Sequence, residues 1–387
     1  MSLWLGQLLS QLADRLFIYV LVILAYNITQ KNIGVAVPML AFGIPSVLFG
    51  SVAGVLVDWW HRKNILVVSD LLRGALILLI LFPFVQQSLL LIFIVSFLIY
   101  SVSQVFAPAE ISAIPELVAK HNLIVANSLF MSTWMASAVV GFGIGAPLVV
   151  FFGEDATFMI AAALYFLSAF FVFLVPLVHR ERREAPSLAV AWKDFVAGFE
   201  FVRRKIIINY SLMKMFIVTS ALAVVSVLAI SFANEYLGIG VRNFGYLVVV
   251  AGLGMFAGVG VLGWLNRHFK KGTISISGFI FSGIMLMCIA FTRSVGYALS
   301  FAFFLGVGNA LITASLQTIL QENVPRQMRG RLFGIQNMLI NSAFTLPVVV
   351  FGALADIVGI KAVLILTGII VLLTGFSGFF IPKFRAI

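Results

Sequence analysis

Asp14 and Arg15 stand about ten residues into an apolar run that opens near residue 4, and few other residues of this chain offer comparable chemistry. Gln7, Gln11 and Asp14 are spaced four and three apart, so on a helix they share one polar stripe. If the run crosses a membrane, a charge at its middle costs about 2.5–3.5 kcal/mol and turns towards a protein interior, where it pairs. Desolvation and the neighbouring guanidinium act on the Asp14 carboxyl in opposite senses. That balance suits a group that takes up and releases a proton, so Asp14, Arg15 and Gln11 are the candidate proton-coupling and central site. A fixed Asp–Arg or Asp–Gln lock between helices is the competing use of the same residues.

Other chemistries are excluded residue by residue. His61, His121, His179 and His268 fall between apolar runs without metal-ligand spacing, and the single Cys288 permits neither an internal disulfide nor a thiolate cluster. Gly252-Leu-Gly254 and Gly258-Val-Gly260 sit inside an apolar run, where glycine serves close helix packing; a nucleotide fingerprint would need a preceding strand. The sequence has no Walker A motif, nucleophile elbow or HExxH. The expectation is a protein without catalytic residues, cofactor or metal, which is no enzyme and draws its energy from an ion gradient or from the substrate itself.

Composition dictates the elements that must position these residues. Of 387 residues, 62% are hydrophobic and 10% charged. A soluble domain carries about 25% charged residues, so this chain cannot cover a water-facing surface. Twelve runs are long enough to cross about 30 Å of hydrocarbon as helix: 4–26, 34–57, 64–86, 89–109, 124–152, 156–177, 209–233, 242–265, 273–292, 296–319, 331–352 and 359–381. Each must be helical, because a lone strand leaves its backbone unsatisfied in lipid. The fifth run exceeds what one span needs. The first has no basic leader and reads as a span, not as a cleavable signal.

The charges between the runs fall unevenly. With the N-terminus inside, 18 Lys and Arg residues lie in cytoplasmic segments and 4 on the opposite side. Positive-inside bias therefore places both termini in the cytoplasm of a bacterial-type inner membrane. It also accounts for the net charge of +11 without nucleic acid. The longest polar segment separates six runs from six, giving an N-terminal six-helix bundle at 1–177, a linker at 178–208 and a C-terminal bundle at 209–387. Within the linker, Leu188, Trp192, Phe195, Val196, Phe199 and Val202 recur at helical spacing opposite Lys193, Asp194, Glu200 and Arg203. This predicts an amphipathic helix, lying on the inner leaflet or on the protein's own cytoplasmic surface. The basic turn from Asp58 to Lys63 is echoed by Asn266 to Lys271 after the eighth run. The expected fold class is an all-α integral membrane protein, twelve transmembrane helices in two pseudo-symmetric bundles, as in secondary transporters.

Gly54-Val-Leu-Val-Asp58-Trp-Trp-His-Arg62-Lys63 resembles the loop signature of the major facilitator superfamily, G-x-x-x-D-R-x-G-R-K, with Trp59 for the Arg and His61 for the second Gly. Leu3 to Gln11 followed by Asp14-Arg15, Ser69-Asp70 with Arg73, and Pro108-Ala109 with Ile114-Pro115-Glu116-Leu117-Val118 and Ala126 to Leu129 are similar to its macrolide-efflux and enterobactin-exporter branch. So is Gln317, Gln321, Val324-Pro325 and Met328 to Arg331. The resemblance implies that Asp58, Arg62, Lys63, Asp70 and Arg73 form an inner gate that holds the cytoplasmic side closed against the start of span eleven, at Arg329 or Arg331. Two departures stand out. Glu110 follows the Pro-Ala where the family often has a basic residue, and span four has no Lys or Arg. The exporter-associated G-x-x-x-G-P pattern appears loosely as Gly141-Phe-Gly143-Ile-Gly145-Ala-Pro147.

Uncharged polar residues inside the spans mark a candidate substrate cavity. They are Tyr19, Tyr26 and Asn27 in span one, Tyr100 and Gln104 in span four, and Asn127, Thr133 and Trp134 in span five. In the second half they are Asn309, Thr313 and Gln317, then Gln336, Asn337 and Asn341. Spacing by four puts Asn309, Thr313 and Gln317 on one face, and likewise Asn337 and Asn341. For any one of them, an interhelical hydrogen bond competes with a cavity role. Together these readings predict a monomeric transporter whose partners are the bilayer, protons and a small amphipathic substrate. It would export a drug-, macrolide- or siderophore-like molecule by alternating access and proton antiport. A lysophospholipid-type flippase of the same superfamily, free of obligatory protons, is the alternative. A non-transporting scaffold or sensor would need neither a mid-membrane Asp–Arg pair nor a latch.

Overall fold

A computed structural model describes residues 2–119, 123–176, 196, 199–325 and 328–385. All described regular structure is helical: α1 Ser2–Thr29, α2 Asn32–Trp59, α3 Arg62–Ile80, α4 Pro83–Gln86, α5 Leu89–Leu117 and α6 Leu123–Phe173, then α7 Ile206–Ser231, α8 Gly245–His268, α9 Lys271–Phe291, α10 Val295–Asn323, α11 Arg329–Ser342, α12 Leu346–Val358, α13 Ile360–Ser377 and α14 Pro382–Arg385. Ten helical stretches among the described residues are long and apolar enough to cross a membrane. The expected fifth and sixth spans are one 51-residue helix, α6, interrupted where Gly153 adopts φ 87° and ψ 174°. That is a left-handed backbone only glycine enters cheaply, and it divides α6 into two spans. α3 completes the twelve; it carries Arg62, Lys63, Asp70 and Arg73, too many charges for an apolar segment.

Span eleven differs from expectation. It breaks at Ala343–Thr345 into α11 and α12, with Pro347 at the start of α12. Pro347 has no N–H to donate back across the break, although Pro38, Pro45 and Pro147 lie inside continuous helices. Span three also ends early, at Ile80, and the chain restarts at Pro83.

The chain forms two compact units, residues 1–30 with 37–186 and residues 31–36 with 187–387, so the division falls inside the polar segment 178–208. In the first unit, α1 packs along α6, and α3 packs between α5 and α6. Its buried side chains include Phe17, Tyr19, Phe158 and Tyr165. In the second unit, α10 packs against α8 and α9, and α9 against α13, around a core that includes Leu212, Met215, Phe279, Leu316 and Phe384. Gly254 and Gly306 make the α8–α10 approach possible. A Cβ on Gly254 would meet the Phe303 carbonyl oxygen at 1.9 Å, and one on Gly306 the Ala251 carbonyl oxygen at 1.9 Å. The first turn of α2 belongs to the second unit, where the Asp356 carboxylate accepts from Asn32 N and Nδ2, each at 2.8 Å, and Ile33 N at 2.9 Å. Most of the amphipathic linker lies outside the described residues; at its described end Phe201 and Val202 pack on the second unit's core, and Phe199 is exposed.

Candidate functional site

The site grows out of α3. Asp70 and Arg73 are one turn apart on one face of this helix, and both are buried, with side chains 0% and 1% exposed. Arg73 Nη2 is ion-paired to Asp70 Oδ1. The same carboxylate receives the Ser10 hydroxyl from α1 at 3.1 Å, and the Ser168 hydroxyl from α6 lies 2.6 Å from its second oxygen. Ser168 also lies 2.8 Å from the Gly6 carbonyl, so its one proton serves either acceptor. Ser10 in turn accepts from Arg73 Nη2 at 3.1 Å. The guanidinium rests over the rings of Phe106 and Tyr165, at 4.1 and 4.6 Å, where the ring quadrupole favours a cation. A buried pair is tolerable only with such surroundings, because both ions have left water.

Asp14 joins this cluster more loosely. The Tyr165 hydroxyl donates to its carboxylate, and Arg73 Nη1 lies 3.6 Å away. Its side chain is 33% exposed. One guanidinium therefore serves two carboxylates, one sealed and one with an open edge. Arg15 turns elsewhere: its guanidinium sits 5.5 Å from the Trp134 ring, and its Nε is buried without an acceptor. Gln11 accepts from the Ser137 hydroxyl at 3.1 Å, and Gln7 donates to the Phe130 carbonyl at 3.3 Å, so the polar stripe of α1 faces α6.

Asp70 and Arg73, expected at a cytoplasmic gate, are thus gathered with Asp14 in the interior of the unit. Among the other gate residues, Arg62 Nη1 donates to the Ser112 carbonyl at 3.2 Å, and Lys63 lies 4.9 Å from the Phe173 ring. The side chains of Asp58, Arg329 and Arg331 lie outside the described residues, as does that of Asn127. Of the cavity candidates in the first unit, Tyr19 is fully buried against Phe142, Tyr26 is buried, and Tyr100 packs between Phe17 and Phe42. Asn27 donates to Glu154 at 2.9 Å and Gln104 to the Tyr100 carbonyl at 3.3 Å. Thr133 accepts from the Trp4 indole at 2.8 Å.

In the second unit, Gln336 donates to Gln317 at 2.6 Å and Thr313 bonds Asn309, while Asn337 is exposed and Asn341 half-buried. A largely apolar cavity of about 390 Å³ lies beside α7 and α11, lined by Phe199, Leu212, Met213, Phe216, Ile335 and Met338 among others, with Arg203 and Asn209 as its polar groups. Away from it, Lys214 is 1% exposed with its ammonium among the rings of Tyr210, Phe279 and Phe384 at 4.8–4.9 Å, and no hydrogen-bond acceptor.

Sequence reasoning missed Tyr165, Ser168 and Ser10. Ser10 was within reach, since it stands one turn before Asp14; Tyr165 and Ser168 are single polar residues in an apolar run over 150 positions away.

The buried cluster sits in a fold shared with known transporters. The sequence profile of the Major Facilitator Superfamily matches residues 3–347. The chain belongs to that superfamily. It is therefore a multi-pass membrane protein and a secondary transporter of small substrates, not an enzyme. It is 24% identical to the uncharacterized MFS-type transporter YfiS of Bacillus subtilis, over 97% of this chain and 91% of that one. It is 23% identical to the multidrug efflux pump Tap of Mycolicibacterium fortuitum, over 88% and 85%. The crystal structure of a mutant of the nucleoside transporter NupG superposes with a TM-score of 0.81 at 13% identity, covering 98% of each chain. That likeness carries the major facilitator fold, to which the all-α, two-bundle expectation corresponds.

Proposed function

We propose that this transporter exports an amphipathic or hydrophobic small molecule by proton antiport, and that the Asp14–Arg73–Asp70 cluster is where the proton acts. The observation that carries the reading is the sharing of one guanidinium between two carboxylates. Asp70 holds Arg73 out of solvent, whereas Asp14 meets it at 3.6 Å from a side chain one third exposed. Neutralising Asp14 with a proton frees Arg73 to settle wholly on Asp70, so proton binding and side-chain arrangement are linked. Because α1, α3 and α6 each contribute to the cluster, a change at Asp14 alters how three helices are held. Alternating access needs such a link. Asp58, Arg62, Lys63, Arg329 and Arg331 remain the proposed inner latch, with both termini in the cytoplasm of the inner membrane.

The walls of one cavity support the substrate class. The cavity of about 390 Å³ in the second unit is apolar apart from Arg203 and Asn209, which suits a molecule with one polar end. The name of Tap, a multidrug efflux pump, agrees with outward transport of such compounds.

Everted membrane vesicles loaded with acid and offered the cationic dye ethidium test the reading. Wild-type vesicles take up dye when the gradient is imposed, and Asp14→Asn vesicles fall to the rate seen without a gradient. Equal rates for Asp14→Asn and wild type at every imposed gradient would remove Asp14 from coupling. Translocation of a fluorescent lysolipid without a gradient, with no dye uptake, would replace the antiporter with the flippase.

A further inference from the structure

Arg15 is the intramembrane charge that the coupling cluster leaves out. At 1.5 Å per residue its Cα stands about 20 Å from the Ser2 end of α1, and it makes no ion pair or hydrogen bond among the described residues. Asp14, its neighbour in sequence, faces Tyr165 and Arg73 instead. A charge inside a membrane span pairs or faces a water-filled cavity. The guanidinium therefore calls for a counter-ion that the surrounding helices do not supply.

The packing of α1 on α6 shows what such a counter-ion would meet. Arg15 leaves α1 opposite Gly141, where a Cβ would lie 2.4 Å from Arg15 Cβ, so the glycine makes room for the arginine stem. The side chain runs back towards the start of its helix. Its guanidinium ends 5.5 Å from the Trp134 ring, about two turns before Gly141 on α6. Gln11 stands one turn before Arg15 on the same face of α1. Its Oε1 accepts from the Ser137 hydroxyl at 3.1 Å, while its Nε2 makes no hydrogen bond among the described residues. The guanidinium and the Gln11 amide thus converge on the stretch 134–137 with donors to spare, beside an indole that is 52% exposed. Arg15 Nε is already out of water with no acceptor, so part of the desolvation that binding an anion requires is complete beforehand.

We propose that Arg15, Gln11 and Trp134 form a subsite for the carboxylate of an amphipathic acid. The guanidinium fork takes the two carboxylate oxygens, the Gln11 Nε2–H donates to one of them, and the indole lies along the adjoining apolar body. A carboxylate fits better than a phosphate monoester. One guanidinium balances one negative charge, whereas the monoester would bring a second into the span without compensation. The subsite extends the export reading, on which its role in transport rests, to a substrate class that uptake of a cationic dye does not score.

Equilibrium binding tests this without a gradient. The probes are dansyl-undecanoic acid and its methyl ester, which share an apolar body and differ in the anion. They are titrated into the full-length protein in phosphatidylcholine nanodiscs, with empty discs subtracted. The acid should bind at least about tenfold more tightly than the ester, the discrimination that one hydrogen-bonded charge supplies. Arg15→Gln should bring the acid down to the affinity of the ester. Gln11→Leu should weaken the acid alone, a difference that general damage to the fold would not produce, and it serves as the probe if the arginine variant does not fold. Equal affinity of wild type for acid and ester overturns the proposal. So does a preference for the acid that these variants leave intact, since the anion is then held elsewhere, as at Arg203. Failure of the two readings is distinguishable: Asp14→Asn with full gradient-driven dye uptake defeats proton coupling and leaves the binding result standing, and a missing acid preference leaves the Asp14 result standing.

Discussion

Replacing Asp70 by Asn removes one charge from a site where both partners are sealed from solvent. Asp70 and Arg73 are 0% and 1% exposed, and Asp70 also accepts from Ser10 and is 2.6 Å from the Ser168 hydroxyl. Breaking one partner of a buried pair costs about 3–5 kcal/mol, because the surviving ion is left without compensation. Asparagine is close in shape, so the loss is electrostatic and not a cavity. At about 2 °C per kcal/mol, the low end for domains of 150–250 residues and so an upper value for this longer chain, the detergent-solubilised variant should unfold at most about 6–10 °C below wild type. Arg73→Met should lose a similar amount, since it strands Asp70. Combining Asp70→Asn with Arg73→Met removes both ions together, and the double variant should lose far less than the two single losses added. Asp14→Asn should be milder than Asp70→Asn, since solvent already screens an Asp14 side chain that is one third exposed. Intrinsic-fluorescence melting curves of wild type and the four variants decide the matter. A double variant whose loss equals the sum of the singles, or an Asp70→Asn protein that melts with wild type, would refute the buried, coupled cluster.

Gly306→Val should cost about 1–3 kcal/mol or more, seen as lost yield of monodisperse protein, because its Cβ would lie 1.9 Å from the Ala251 carbonyl oxygen and backbone cannot yield. Gly263→Ala, with nothing within 4 Å, is the control that should purify normally. Lys214→Met should raise the melting temperature by a few degrees, since a buried ammonium without an acceptor gives way to a hydrophobe of similar volume. A drop of several degrees would show that the three rings stabilise the cation more than its burial costs.

The helices were legible because each span must be a long apolar run, and twelve such runs are hard to miss. Their ends were less so. The break before α12 stands just ahead of Pro347, and the division of α6 lies at Gly153; both are local events inside runs that hydropathy treats as uniform. Asp14 stood out as a charge in an apolar run. Its pairing with Arg15 did not materialise, since adjacent residues on a helix do not face each other, and that much was readable in advance. Asp70 and Arg73 looked peripheral because they were counted from the basic turn at 62–63. Counting rise along α3 instead puts them about 12 and 16 Å in. Tyr165 could not be assigned by pattern, because only the packing of α1 on α6 brings it to Asp14.

The cage around Lys214 has an order of assembly written into it. Phe384, one of its three walls, is synthesised 170 residues after the lysine, and Phe279 65 residues after it. When the α7 segment is made, only the Tyr210 ring, on the same helix, is at hand to cover the ammonium. The ring of Phe279 arrives first, and the charge is enclosed only when the turn at 382–385 folds back beside Gly272. Removing residues 382–385 would therefore take away one of the three rings that enclose the Lys214 ammonium.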